Sequence, residues 1–448
     1  MEIAESRRGE LVVLRPAGRL DSVTSGEFQT KLVAAVSGAP ADVVVDFSGV
    51  DYISSAGLRA LMTAAKRKSP DCRIAVAALN DFVQEIFTIS RFLHVVPIAA
   101  RVEDAAGVWD VAARATPAPR IEAPAVARRN FVRIWGSRGS LPAPLNAAAV
   151  RAKISDALLA ARGRSFATPA AIADFVDREL PFAQHATFGG NTSCVEIACG
   201  GDEYVLCDLG TGVREFGNRI LAEHGAARKH CFNVFLSHVH WDHIMGFPFF
   251  GPAYIPGNVI RIHGCHAVLR EALQRQQSDP SFPVDFRSLG ATIECVPLEP
   301  GETYDVAGLS VTPIKQFHAG DSYGYRFATG GGTIVYSTDC EHKYQALDES
   351  YPFISFFRDA DILIFDAMYS LSDAISVKED WGHSSNIAAV ELAQLAGVKR
   401  LVLFHHEPAY DDRMIETVLR ETIRFEELNR GGHKVEVIAA YDGLELAL

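Results

Sequence analysis

His238, His240, Asp242 and His243 fall within six residues, HVHWDH, directly after an apolar run, 232–236, that predicts a buried strand. An extended segment sets residues i and i+2 on one face, so His238 and His240 can grip one ion together. A turn after them sends Asp242 and His243 toward a second position. Two divalent ions that close can clamp a phosphate and supply hydroxide near neutral pH. Trp241, inside the motif, is expected to pack rather than bind.

A dinuclear site needs further ligands, and three candidates follow predicted strands, at the ends where loops display reactive groups. His318 follows 309–314, Asp339 follows 333–337 and His405 follows 401–404. One assignment satisfies both ions: His238, His240 and His318 on the first, Asp242, His243 and His405 on the second, and Asp339 bridging. Imidazole and carboxylate without thiolate suit two divalent metal ions, with Zn²⁺ the first expectation and Mn²⁺ or Fe the alternatives. His406 follows His405 on an extended segment and so points the other way. His263, His266 and His342 are expected at the surface or behind the ligands.

The 448 residues exceed one ordinary domain, and 48% apolar content supports substantial cores. A net charge of −12 argues against a surface built to hold long nucleic acid. Eight scattered cysteines without a Cys-x-x-Cys pair read as reduced thiols. With no secretory h-region and no long apolar run, the expectation is a cytoplasmic protein without a membrane partner. Homodimerisation stays open.

Residues 113–129, rich in Ala and Pro, suit a tether. The reading is therefore a small α/β domain at 1–112, a linker at 113–129 and a large domain at 130–448. In the small domain, strands at 11–14, 42–47 and 73–78 alternate with helices at 24–36 and 58–68. In the large one, many short strands with fewer helices predict a two-sheet sandwich covered by helices, carrying a helical insertion at about 146–180.

HVHWDH, His318, Asp339, His405 and the strand order together resemble the metallo-β-lactamase fold. The resemblance implies an αββα sandwich with metals at one edge between the sheets. It also implies that Asp208, in LCDLGTG, supports the metal loop. The second ligand position is His rather than carboxylate, unlike the redox branch. IFDA at Asp366, GHSS at His383, the opening IWGSRGSLPAP and GGNTS at 189–193 resemble the phosphodiesterase branch. That likeness implies a catalytic group of Asp242, His383 and Asp366, with Asp366 orienting His383 toward the leaving oxygen. Arg138, whose planar fork suits phosphate, is the candidate substrate contact. The expected substrate is a small cyclic or linear phosphodiester or nucleotide. A thioesterase or lactonase on the same scaffold is the alternative reaction, and a signalling scaffold without activity the alternative class.

The stretch 43–59, VVVDFSGVDYISSAGLR, with GRLD at 18–21, resembles the STAS domain of anti-sigma-factor antagonists. The resemblance implies a regulatory phosphorylation site at Ser55 and a serine kinase or anti-sigma-factor partner. Ser54 stands where well-studied members have Asp. The plain reading beside it is that Ser54 and Ser55 start the helix as ordinary caps.

Overall fold

A computed structural model describes residues 2–8, 11–37, 42–69, 72–90, 92, 95–107, 130–343, 350–374, 378 and 380–448. The Ala/Pro-rich stretch 113–129 lies outside the described residues.

The N-terminal unit is a six-stranded sheet with helices on it. Its central strand, Asp42–Asp46, is buried on both faces, which is why it reads as an unbroken apolar run. Val43 and Val45 meet Phe28, Leu32, Leu58 and Leu61 of the helices Ser25–Ser37 and Ser55–Arg67. Val44 points the other way, onto Ala75, Ala77 and Val102. The sequence reading overlooked the strand Glu2–Arg8, because a charged segment paired on one side only carries little apolar signal.

The C-terminal unit stacks two seven-stranded sheets. One runs Thr292–Pro297, Val259–Gly264, Cys231–Phe235, Tyr204–Cys207, Cys194–Cys199, Asn130–Gly136, Glu445–Ala447. The other runs Tyr304–Val306, Leu309–Gln316, Ser322–Thr329, Gly332–Ser337, Ile362–Asp366, Arg400–Phe404, Glu436–Ala439. The strand Ile362–Asp366 shows how the layers form: Ile362 and Ile364 enter the core between the sheets, beside Phe235 and Tyr325. Leu363 and Phe365 face the outer helices. Burying each such side chain stabilises the fold by roughly 1.5–3 kcal/mol. Between the strands Asn130–Gly136 and Cys194–Cys199 lie the helices Ala147–Ala160 and Pro169–Glu179.

Strand direction positions the site. Tyr204–Cys207, Cys231–Phe235 and Val259–Gly264 are parallel neighbours, as are Gly332–Ser337, Ile362–Asp366 and Arg400–Phe404. Parallel strands deliver their C-terminal ends to one edge of a sheet. Asp208, the HVHWDH loop, Asp339, Asp366 and His405 therefore emerge together. Asp208, Asp339 and His405 each take a left-handed backbone, with φ of 61°, 48° and 61°. Such conformations are uncommon outside glycine and concentrate at functional sites.

The two units are in contact. The helix Asp81–Ile89 lies against Asp412–Asn429, and Glu85 pairs with Arg424 across the boundary.

Candidate metal centre

Two groups of ligand atoms converge at this edge: His238, His240 and His318 in one, Asp242, His243, Asp339 and His405 in the other, with the atoms of each group within 4.8 Å of one another. His318 Nε2 lies 3.1 Å from His240 Nδ1, and His243 Nε2 lies 3.3 Å from His405 Nε2. Asp339 stands between the groups. Its Oδ1 is 3.2 Å from both His243 Nε2 and His405 Nε2, and its Oδ2 is 3.5 Å from His238 Nε2 and 3.7 Å from His318 Nε2. His238 Nε2 is buried without a hydrogen-bond partner, a costly arrangement for a polar atom unless something binds it. The residues thus fit a pair of divalent ions.

Surrounding groups aim the ligands. His243 Nδ1 donates to Asp208 Oδ2 at 2.7 Å, and that carboxylate also accepts from Ser237 and Tyr336. His318 Nδ1 donates to the Gly382 carbonyl at 2.9 Å, and the Ser140 amide donates to Asp242 Oδ2 at 2.8 Å. Burial drives the His238 imidazole well below its ordinary range, toward the neutral form that ligates. Burial acts the same way on His243, but Asp339, Asp242 and Asp208 outweigh it and raise that imidazole well above its usual value. Burial resists ionising Asp339, yet His405, His243 and His238 hold its carboxyl far below the ordinary range.

Gly382 is a constrained position. Its φ is +85°, and a Cβ there would lie 2.3 Å from His318 Nδ1. Gly382→Ala is therefore expected to weaken metal affinity about 10- to 100-fold by displacing His318. Competition against a chromogenic chelator measures this; an unchanged affinity contradicts the role given to the glycine.

Behind the ligands, His383 Nδ1 meets Asp366 Oδ2 at 2.8 Å, and the Cys340 amide holds the same oxygen at 3.1 Å. Burial alone would lower the His383 imidazole, but Asp366 raises it to about 9. Its ring stacks on His405, with centroids 5.0 Å apart. The pair expected from the GHSS and IFDA motifs is thus assembled beside both ligand groups.

Arg138 is placed differently from the substrate contact expected of it. It is buried, its Nε donates to the Gly189 carbonyl at 2.9 Å, and its Nη1 donates to the Tyr410 carbonyl at 2.7 Å. With two donors on backbone oxygens and Nη2 facing Asp412 Oδ1 at 3.9 Å, the guanidinium braces the loops beneath the site. His263 and His342 are likewise interior: His263 stacks on Phe235, and His342 bonds Tyr351 Oη at 2.8 Å. His406 turns away from the ligands, as expected, and bonds the Ala440 carbonyl.

Two features escaped the sequence reading. Asp442, near the C-terminus, accepts from the Ser137, Gly190 and Asn191 amides, tying the GSRGS and GGNTS loops together. Removing it orphans several buried donors, so Asp442→Ala is expected to cost about 3 kcal/mol in urea unfolding. A loss below about 1 kcal/mol sinks that view of Asp442. Second, Trp241 is 76% exposed rather than packed, and Phe317 and Trp381 are each 58% exposed. Each of the three adjoins a ligand or its supporting loop. In the stretch 246–257 after the HVHWDH loop, Phe247 and Phe250 fill the core, while Phe249 is exposed.

Comparison with known proteins agrees with this geometry. Residues 203–406 match the β-lactamase superfamily domain model, and residues 3–97 match the Mlab, STAS domain model. Over 96 residues the chain is 34% identical to BtrV of Bordetella bronchiseptica, which carries an anti-sigma factor antagonist name, covering 21% of this chain and 83% of BtrV. The chain is a STAS domain joined to a metallo-β-lactamase superfamily domain. The metallo-β-lactamase domain is similar to ribonuclease Z of Oceanobacillus iheyensis, 22% identical over 247 residues, covering 42% of this chain and 75% of that protein. Among solved structures it is similar to the metallo-β-lactamase fold protein YhfI of Bacillus subtilis, with TM-score 0.46 and 19% identity, covering 71% of this chain and 98% of that one. The superfamily assignment makes this domain a hydrolase scaffold for divalent metals. No helix among the described residues is long and apolar enough to cross a membrane.

Proposed function

We propose that the metallo-β-lactamase domain is a dinuclear metal-dependent phosphodiesterase acting on a small phosphodiester or nucleotide, under a STAS regulatory domain. The observation that carries the reading is the Asp366–His383 pair set beside the two ligand groups. Ions held by His238, His240, His318, Asp242, His243, His405 and Asp339 supply, when bound, an activated water and charge neutralisation at the phosphate. His383 carries the proton that the departing oxygen needs, and Asp366 holds its ring in place. A thioester or lactone needs no such buried carboxylate–imidazole pair behind the ligands. The likeness to ribonuclease Z adds support, since a ribonuclease cleaves phosphodiesters.

A small substrate is favoured by the surroundings. Trp241, Phe317 and Trp381 offer flat faces next to the ligands, suited to stacking a nucleobase. The insertion helix Ala147–Ala160 exposes Ile154, Leu158 and Leu159, not the basic track that long nucleic acid requires. In the insertion Lys153, Arg164 and Arg178 are paired with carboxylates. The STAS domain is read as the docking module, with Ser55 its phosphorylation site.

The test is metal analysis joined to a panel of cyclic nucleotides, dinucleotides, thioesters and lactones. Turnover confined to phosphodiesters, abolished by chelation and restored by Zn²⁺ or Mn²⁺, is the expected result. Thioester or lactone turnover exceeding that of every phosphodiester defeats the reading.

A further inference from the structure

The STAS domain presents the start of its helix Ser55–Arg67 to the hydrolase domain. Ser55 is buried, and its Oγ donates to both carboxylate oxygens of Glu391, at 2.7 and 2.8 Å. Glu391 belongs to the helix Asn386–Leu395, which begins directly after the His383 loop and is capped by Ser385. Apolar packing continues from one domain into the other, and specific polar contacts flank it. Tyr52 Oη donates to Asn429 Oδ1 at 2.8 Å, and Arg424 Nη2 reaches Glu85 Oε2 at 2.7 Å. A cavity of about 470 Å³ opens beside it, lined by Arg19, Asp21, Ser54, Ser55, Glu391 and His433 among others. Ser54 Oγ, buried at the same place, has no hydrogen-bond partner.

We propose that the STAS surface around Ser55 has its docking partner in the same chain, the helix that starts at the His383 loop, and that a phosphoryl group on Ser55 undocks it. The proposal rests on reading Ser55 as the phosphorylation site. A serine kinase would transfer the γ-phosphoryl group of a nucleoside triphosphate: the bond to the nucleoside diphosphate breaks, the Ser55 Oγ–P bond forms, and the hydroxyl proton is released. The modification deletes the hydroxyl hydrogen that Ser55 gives Glu391, leaving the Ser55 backbone amide as the remaining donor, and sets a phosphate against that carboxylate. Arg19 and His433 line the cavity, but Arg19 faces Asp21 at 3.7 Å and stacks on Tyr52, so its charge is already shared. Like charge at hydrogen-bond range therefore prevails over the Arg19 charge. The surface is thus closed while Ser55 carries a neutral hydroxyl; a kinase meets Ser55 during transient undocking, and the phosphate then holds the surface open.

Hydrogen–deuterium exchange on the full chain tests this without any assay of turnover, so its outcome is independent of the substrate reading. Ser55→Asp, which places a carboxylate against Glu391, is expected to speed exchange about tenfold in both Ser55–Arg67 and Asn386–Leu395. The strand Asp42–Asp46, inside the STAS core, should stay protected. Ser55→Asp with Glu391→Gln removes the repulsion and is expected to restore slow exchange. Arg424→Glu, on the exposed flank of the same boundary, should open it as well, and Glu85→Arg in that background should close it. Unchanged exchange in Ser55→Asp and Arg424→Glu overturns the proposal. So does exchange that Glu391→Gln fails to slow, or a STAS core that loses protection along with the helices in both variants.

Discussion

Replacing His383 with alanine is expected to lower kcat about 10²- to 10⁴-fold on phosphodiesters that expel an alkoxide. An alkoxide is a strong base and cannot depart at neutral pH without a proton. The imidazole stands within 2.8 Å of Asp366 and stacks on His405, so it sits beside the ligand groups. Bis(p-nitrophenyl) phosphate expels a stabilised anion that needs little protonation. On that substrate the same variant should lose less than about tenfold. The contrast between leaving groups separates a proton donor from a merely structural histidine. Equal losses on both substrates would show that His383 supports the fold of the site and does not donate. Asp366→Asn should reproduce the pattern at smaller amplitude, because the ring keeps its place but loses the carboxylate that favours its charged form.

Replacing Asp339 with alanine is expected to empty the metal centre and lower phosphodiester turnover by about 10³-fold or more. Its two oxygens stand 3.2–3.7 Å from His243, His405, His238 and His318, one facing each ligand group. No other carboxylate occupies that central position among the described residues. Without it, Asp242 still serves His243 and His405, but no anion faces both ligand groups, and cations in both positions would repel with less screening. Elemental analysis of the purified variant should find fewer than one metal per chain, against about two in the parent. A variant that keeps both ions shows that Asp339 does not bridge them.

The HVHWDH cluster was legible in the sequence because its four candidate ligands fall within six residues and follow an apolar strand. His318, Asp339 and His405 were legible because each follows a predicted strand; parallel strands bring the ends before Asp339 and His405 to one edge, whereas His318 follows a strand paired antiparallel on both sides. Asp366 and His383 needed a resemblance to draw them together, since 17 positions separate them and neither spacing nor periodicity implies a contact.

Arg138 was misread because a guanidinium serves carbonyls and phosphates equally well, and only burial tells them apart. Trp241 was misread in the opposite sense. An aromatic beside two ligands is ordinarily core, but the short helix Trp241–Ile244 turns Asp242 and His243 inward and leaves Trp241 facing solvent.

By itself, the sequence determined the ligand chemistry, the strand ends that carry it and the presence of two folded units, because residue type and short-range periodicity are local properties. The tertiary structure decided what faces what: Asp442 across 251 positions from Asn191, and Ser55 across 336 positions from Glu391. Such pairings depend on how whole sheets and helices pack, and packing sums many weak contacts that no single stretch of sequence records.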